Sequence, residues 1–329
     1  MTTENAPPVE PLATDYAGES FGRTAKRLFH ATRPKFFPAS VLPVFAGTAW
    51  GVQATGHFDS IVFVLALLAT ICVHAGSNVL NDVGDEINGT DRRNSNRIYP
   101  YTGGSRFIQA GILDKTSMAR LGGCLLLVAS IAGAALVMLR GPVILLFGVS
   151  GVILGVVYSL GPLRLSSIGL GETAVAAAFG ILPVTGAAWL QGALINADLL
   201  LYALPISAWV AAILLINEVP DIEADGASGK RTLPVRLGLG GTAALYITIH
   251  LAAVTAVVGL TATGQLPLLS PLLPSALLIL TFRAAAAIRN GLRDRPGLTR
   301  AIESTLAVHA LGSLWLAACL LFRLWWPTF

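Results

Sequence analysis

The stretch from Ser60 to Asp91, SIVFVLALLATICVHAGSNVLNDVGDEINGTD, decides the fold class. Between Ser60 and Leu80 it contains no Asp, Glu, Lys or Arg. A helix of that length crosses the ~30 Å hydrocarbon core of a bilayer. Four acidic residues follow within a few positions, and we call them the first cluster: Asp82, Asp85, Glu86 and Asp91. The pattern predicts a transmembrane helix that ends in a group of carboxylates at one membrane face.

The composition of the whole chain agrees with a membrane protein. Of 329 residues, 54% are hydrophobic and 12% are charged, about half the charged share of a soluble domain. We therefore predict an all-α polytopic membrane protein with about nine transmembrane helices, near 36–55, 60–80, 118–139, 142–160, 170–190, 199–216, 241–262, 268–286 and 303–327. Residues 1–32 are polar, and we expect a loosely ordered cytoplasmic tail there, followed by a membrane domain over 33–329.

The positions of the basic residues predict the orientation of these helices. Of the 22 Lys and Arg residues, all except Arg140 and Arg323 fall in segments on the same side as the N-terminus. An excess of Lys and Arg marks cytoplasmic loops. The net charge of +4 thus follows from topology, and no nucleic-acid partner is implied. The long connections 81–117, 217–240 and 287–302 lie on that side, so we expect a cytoplasmic active site.

A second acidic cluster follows the sixth predicted span, in NEVPDIEADGASGKRTLPVRLG from Asn217 to Gly238. Its acidic residues are Glu218, Asp221, Glu223 and Asp225. Four spans separate the two clusters, and an even number returns the chain to the same face. Each cluster also opens with an amide and a carboxylate four residues apart, which places both groups on one face of a helix. The clusters can therefore meet over one cavity.

Converging carboxylates repel one another unless a cation compensates them. Oxygen ligands of this kind suit Mg²⁺, which commonly bridges protein carboxylates and substrate phosphates. Basic residues follow both clusters and can hold phosphate oxygens, although membrane topology alone also explains them. A solvated loop is the alternative for the acidic residues. Tyr158 and Arg164 fall on the same face, either beside a diphosphate or as an interfacial aromatic and a topogenic Arg.

These motifs resemble the two aspartate-rich motifs of the UbiA superfamily of intramembrane prenyltransferases. The first motif reads NDxxDxxxGxD, a variant similar to the MenA-like branch, which prenylates 1,4-dihydroxy-2-naphthoate in menaquinone synthesis. TRPKFFPASVLPVFAGTA, GGSRFIQAG and GKRTLPVRLG resemble the same branch. The second motif departs from it, because Pro220 stands where the branch often has Arg.

The resemblance implies a UbiA-type bundle with cytoplasmic cap loops in the bacterial inner membrane. It implies Mg²⁺-assisted transfer from a polyprenyl diphosphate to an aromatic acceptor, with no obligate protein partner. Implied ligands of two Mg²⁺ ions are Asn81, Asp82, Asp85, Asp91, Asn217, Asp221 and Asp225. Implied catalytic residues are Asp85, Asp221 and Tyr158. Implied diphosphate contacts are Arg33, Lys35, Arg97, Arg106, Arg164 and Lys230.

Two alternatives stay open at this point. The same chemistry could serve another acceptor, such as 4-hydroxybenzoate, homogentisate, a porphyrinoid or a lipid glycerol phosphate. A secondary transporter also carries polar clusters at corresponding points of two halves. Carboxylates at mid-span would favour transport, whereas these motifs are predicted at the helix ends.

Overall fold

The fold is an assembly of helices. The computed structural model describes residues 10–88, 96–159 and 163–325, and within these ranges it contains no strand, which confirms the all-α prediction. The helices are α1 Phe21–Ala31, α2 Pro38–Thr55, α3 Ser60–Asn88, α4 Lys115–Arg140, α5 Ile144–Ser159, α6 Gly171–Leu190, α7 Ala197–Asn217, α8 Ile222–Ala227, α9 Leu233–Ala262, α10 Leu272–Asn290 and α11 Arg295–Trp325.

Each predicted span falls on one of these helices. Within the described residues, six segments are long and apolar enough to cross a membrane, and the longest of them, Leu272–Leu324, contains both α10 and α11. The chain is thus an integral membrane protein, and the count of nine crossings stays a prediction. Several helices extend beyond their predicted ends: α3 continues through the first motif to Asn88, and α11 begins at Arg295. The first motif is therefore helical from Asn81 to Asn88 rather than part of a loop.

Helix α7 is the central element of the bundle. It packs against α9, α11 and α6, and its side chains Tyr202, Ile206 and Leu215 are fully buried. Helices α3 and α4 form a second close pair, and α2 lies between α6 and α11. Because α7 is enclosed by other helices, its C-terminal end carries the second motif into the interior of one end of the bundle. We call the end that bears both motifs the motif face.

Small residues allow the backbones of the helices to approach closely, as is common in membrane bundles. Helix α6 contains a π-helical segment, Ala176–Ile181, whose Gly180 lies against α7. A Cβ at Gly180 would sit 2.1 Å from Ser207 Oγ, and one at Gly47 would sit 2.1 Å from the Val184 carbonyl oxygen. These contacts require glycine for steric reasons alone.

We predict that Gly180→Ala destabilises the protein by about 1–3 kcal/mol, the usual cost of overpacking a close-packed interior. Thermal unfolding of purified protein in detergent measures the effect. The control is Gly148→Ala on α5, where a new Cβ meets no atom within 4 Å. An equal melting temperature for the two variants would contradict the close packing of α6 on α7.

The end of the bundle opposite the motif face is held by an ion pair between Arg140 Nη2 and Asp59 Oδ2, 2.5 Å apart. Arg140 also donates to the Leu190 carbonyl. The pKa of Asp59 lies below its ordinary value, chiefly because the Val62 amide donates to the carboxylate and then because of Arg140, with burial opposing. The pair thus ties the start of α3 to the ends of α4 and α6.

We predict that Arg140→Gln lowers the free energy of unfolding by about 1 kcal/mol at neutral pH and leaves activity unchanged. A carboxylate with a lowered folded-state pKa stabilises the fold above its ordinary pKa of 3.8 and loses this effect as the pH falls through the lowered value. The difference between variant and native protein should therefore vanish in acid. Unfolding followed across pH checks this, and a difference that persists in acid would contradict it.

The N-terminal segment differs from the loose tail that the sequence predicts. Residues 13–16 form a 3₁₀ turn and α1 follows, with Ser20 as its N-cap. Tyr16 is buried against Phe107, with ring centroids 4.9 Å apart, and its hydroxyl lies 2.7 Å from His30 Nδ1. The contact with Phe107 thus holds this segment on the motif face, and the hydrogen bond joins its 3₁₀ turn to α1. The prediction failed because polar composition does not show one buried tyrosine.

Candidate active site

The first motif lies on the last turns of α3. Asn81 Nδ2 donates to Asp85 Oδ2 at 2.8 Å, as the four-residue spacing predicts. Asp82 points to the other side, where the Ser105 amide donates to its Oδ2 at 2.9 Å. Asp82 Oδ1 is buried and has no hydrogen-bond partner within the described residues. Asp91, the last predicted ligand of this motif, lies outside the described residues.

The loop Gly103-Gly104-Ser105-Arg106 binds a carboxylate side chain of the protein. Gly103, Gly104 and Arg106 all have positive φ, a backbone form that turns successive amides inward and makes a concavity for anions. The Ser105 amide there binds the carboxylate of Asp82. Ser105 lies far from Asp82 in the sequence, so no spacing predicts this contact. It fixes the loop over the end of α3.

The second motif continues from the end of α7 through a 3₁₀ turn, Val219–Asp221, into the short helix α8. Pro220 fits at the start of this turn, where its missing amide hydrogen is not needed. Asn217 Oδ1 is buried and has no hydrogen-bond partner within the described chain. Asn96 Nδ2 donates to Glu223 Oε2 at 3.3 Å, which joins the connections that follow the two motifs.

Lys230 brings the two clusters together. Its Nζ lies 2.9 Å from Asp225 Oδ1, and Asp85 and Asp221 also attract the ammonium. Burial lowers the pKa of Lys230, but these three carboxylates outweigh burial, and the pKa rises above its ordinary value. Lys230 therefore stays protonated at neutral pH. The predicted convergence of the motifs over one site is present in the structure.

Arg33 and Lys35 lie beside this site, on the connection from α1 to α2. Arg33 has φ 59°, and its guanidinium is close enough to attract Asp82 and Asp85. Lys35 Nζ lies 5.1 Å from the centre of the Tyr101 ring. Both cations line a cavity of about 240 Å³, whose walls are His30, Arg33, Pro34, Lys35, Phe36, Tyr99, Pro100, Gly104 and Ser105. The cavity thus combines positive charge with aromatic and proline surfaces.

Two other predicted diphosphate contacts bind a protein carboxylate. Glu10 forms ion pairs with both Arg97 and Arg106, and Arg295 donates to the Arg97 carbonyl. Burial, followed by repulsion from Arg106 and Arg295, lowers the pKa of Arg97. These guanidiniums hold the N-terminal segment to the loop, and their contact with a diphosphate stays a prediction.

Tyr158 and Arg164 occupy different environments. Tyr158 lies near the C-terminal end of α5. Its hydroxyl is close enough to Asp85, Asp225 and Glu218 to interact with them electrostatically. It therefore faces both clusters, as its predicted role requires. Arg164 is exposed, and within the described residues it forms no ion pair with either cluster. Its predicted contact with the diphosphate has no support from this geometry.

A buried pair of carboxyl groups was missed by the sequence prediction. Glu172, at the start of α6, is 5% exposed, and its carboxyl group lies close enough to that of Glu218 for the two to interact. Glu172 Oε1 and Glu218 Oε2 are buried and have no hydrogen-bond partner within the described residues. Two ionised carboxylates at such a site would repel each other, which favours a proton on one of them. The available signal was an acidic residue at the start of a predicted span on the motif side.

Comparison with known proteins explains this arrangement. The model of the UbiA prenyltransferase family matches residues 40–300. The chain belongs to the UbiA prenyltransferase family. A 1,4-dihydroxy-2-naphthoate octaprenyltransferase of Mycobacterium leprae is 31% identical, over 87% of this chain and 95% of its own. A 1,4-dihydroxy-2-naphthoate octaprenyltransferase of Haemophilus influenzae is 34% identical, over 65% of this chain and 70% of its own. Family membership confirms the predicted enzyme class, a prenyltransferase.

Solved structures of UbiA homologues share the fold. A homologue from Archaeoglobus fulgidus bound to GPP and Mg²⁺ has a TM-score of 0.66 and 20% identity, over 89% of this chain and 99% of its own. The apo homologue from Aeropyrum pernix K1 has a TM-score of 0.65 and 18% identity, over 87% and 98%. The helical architecture thus persists where little sequence identity remains.

Proposed function

We propose that this protein transfers a polyprenyl chain from its diphosphate to 1,4-dihydroxy-2-naphthoate, in menaquinone biosynthesis. The observation that carries the proposal is the convergence of Asp85, Asp221 and Asp225 on Lys230 at the ends of two helices. Relatives from several bacteria that are named as 1,4-dihydroxy-2-naphthoate octaprenyltransferases support the acceptor.

The donor atoms of the site are of the type that magnesium binds, although no group of three or more His, Cys, Asp or Glu side chains within the described residues is arranged to hold a metal ion. Their donors are carboxylate and amide oxygens, the ligands that Mg²⁺ takes together with substrate phosphates. The buried, unpartnered Asn217 Oδ1 is one such donor. We propose that two ions bind, one at each cluster, through Asn81, Asp82, Asp85, Asn217, Asp221 and Asp225, with Asp91 as a further ligand. Bound Mg²⁺ would stabilise the negative charge on the leaving diphosphate.

The chain also supplies cations for the donor. Lys230 and Arg33 lie where they can also contact diphosphate oxygens and favour breakage of the allylic C1–O bond, whose electron pair leaves with the diphosphate. A ring carbon of the acceptor then shares its π electrons with C1. If that carbon bears the carboxylate, loss of CO₂ returns an electron pair to the ring, and no base is needed.

The cavity beside the clusters supports an aromatic acid as acceptor. Arg33 and Lys35 can pair with a carboxylate, while Phe36 and Tyr99 offer apolar surface to a flat ring. Arg33 also attracts Asp82 and Asp85, so an acceptor held there would be next to the donor site. The aromatic walls and the two cations together match a naphthoate better than an uncharged quinone.

The test is a reconstituted assay. Purified protein in nanodiscs receives Mg²⁺, a labelled polyprenyl diphosphate and 1,4-dihydroxy-2-naphthoate, and EDTA is added to a parallel sample. Prenylated naphthoquinol that disappears with EDTA supports the proposal. Product with 4-hydroxybenzoate, homogentisate or a lipid glycerol phosphate in place of the naphthoate would reassign the acceptor. Absence of Mg²⁺-dependent diphosphate binding would contradict the proposed donor site.

We also propose that the motif face is cytoplasmic and that the protein resides in the bacterial inner membrane. The distribution of Lys and Arg supports this orientation. A cysteine introduced at exposed Glu19 should react with an impermeant thiol reagent only after the cells are opened.

A further inference from the structure

Helix α1 has an exposed apolar side. At 100° per residue, Phe21, Ala25 and Phe29 lie on one side of the helix and Arg23, Lys26 and Arg27 on another. The side chains of Phe21 and Phe29 are 91% and 54% exposed. Two such aromatic rings on a surface helix of 11 residues are costly in water, since each would leave a large apolar area hydrated.

The helix is held in place from its other sides. Ala31 is fully buried, and Arg23 and Lys26 donate to the Asp15 carbonyl. The apolar side is therefore exposed on a docked helix, and rotation of the helix cannot hide it without breaking these contacts. Whatever covers Phe21 and Phe29 lies outside the described chain.

The position of α1 indicates which environment covers its apolar side. Phe29 meets Phe37 edge to face, with ring centroids 6.3 Å apart, and Phe37 directly precedes α2, the first predicted span. The apolar side of α1 is thus continuous with the surface where the chain enters the bilayer. Arg23 and Lys26 are exposed beside it. A helix with aromatic residues on one side and basic residues on the other lies in the membrane interface and favours anionic lipids.

We propose that α1 is an interfacial helix that inserts Phe21 and Phe29 among the lipids of the leaflet at the motif face and binds anionic phospholipid headgroups through Arg23 and Lys26. The occupant is lipid rather than a protein partner, because the apolar side continues into the lipid-contacting start of α2 and the neighbouring charges are positive. This inference does not depend on the identity of the acceptor.

The test places spin labels on the full-length protein in a Cys124→Ser background, since Cys124 is the exposed cysteine among the described residues. One label replaces Ala25 on the apolar side, and the matched control label replaces exposed Glu19. Both proteins are reconstituted in phosphatidylcholine with phosphatidylglycerol. Label 25 should be more accessible to oxygen than to a water-soluble nickel chelate, and label 19 the reverse. Equal access of the nickel chelate to both labels would overturn the proposal.

A second comparison tests the headgroup contact. The double variant Arg23→Gln, Lys26→Gln should bind the membrane interface through α1 less strongly. In phosphatidylglycerol bilayers, the ratio of protein with α1 in the interface to protein with α1 in water should fall by about fivefold for each cation removed. In phosphatidylcholine alone the same change removes only the two donations to the Asp15 carbonyl, so the ratio should fall by less than it does with phosphatidylglycerol. No difference between the two bilayers would overturn the headgroup contact. The melting temperature of each variant confirms that the bundle is intact.

Discussion

Replacing Asp85 with Asn is expected to reduce prenyl transfer at least about 100-fold while the protein still folds. The amide keeps the size of the side chain and can still accept from Asn81 Nδ2, which donates to Asp85 at 2.8 Å. It removes the charge that attracts Lys230 and that would balance Mg²⁺ during departure of the diphosphate. Asp221→Asn should have the same effect, because Asp221 is its counterpart in the second motif.

The measurement is product formed per protein over a series of Mg²⁺ concentrations, with the donor and acceptor in excess. Asp15→Asn is the matched control, since it makes the same change at an exposed position of the N-terminal segment and should leave turnover unchanged. Near-native turnover of Asp85→Asn at any Mg²⁺ concentration would remove this residue from the proposed mechanism. Turnover lost together with the folded state would call for Asp85→Glu as a further variant.

Lys230→Gln is expected to have the second largest effect, on both stability and donor binding. Without the ammonium, Asp85, Asp221 and Asp225 face one another with no positive charge from Lys230 among them, and repulsion between like charges is strong where water is scarce. The variant should melt at a lower temperature in EDTA, and Mg²⁺ should raise its melting temperature by more than it raises that of the native protein. KM for the diphosphate should rise by about 10- to 100-fold, the range for a lost hydrogen bond to a charged group.

Thermal unfolding with EDTA and with Mg²⁺, combined with the kinetics of donor use, checks both parts. Lys230→Arg is the matched variant: it keeps the charge, so its melting temperature in EDTA should stay near that of the native protein. A native melting temperature in EDTA for Lys230→Gln would show that the ammonium does not compensate the clusters.

Hydropathy and helical spacing were enough to predict the helices that carry the site and the end of the bundle at which it lies. Apolar length placed the helices, and the spacing of Asn81 and Asp85 predicted a contact that the structure shows. Counting the spans between the motifs predicted that both lie at one end. These predictions succeed because a membrane helix satisfies its own backbone and because its ends must reach water.

The contacts between distant segments could not be predicted in this way. Ser105 binds Asp82 through a backbone amide, and any residue except proline supplies that group. Glu172 and Glu218 meet because two helices pack side by side, which no spacing along the chain records. Glu10 forms ion pairs with Arg97 and Arg106 because the polar N-terminal segment folds back over the loop that contains Arg106. Each depends on the path of the chain between helices.

The π-helical segment Ala176–Ile181 changes the direction in which the side chains of α6 point. A π-helical turn contains one residue more than an α-helical turn. The side chains before the segment are therefore rotated about the helix axis by about 100° relative to those after it. Glu172 lies before the segment and Val184, packed on α2, lies after it. Deleting a single alanine from Ala176–Ala178 would restore an unbroken α-helix and turn Glu172 away from Glu218, although every residue of both partners would remain. The chemical groups presented at the motif face are therefore set by the length of a featureless alanine run as much as by the acidic residues themselves.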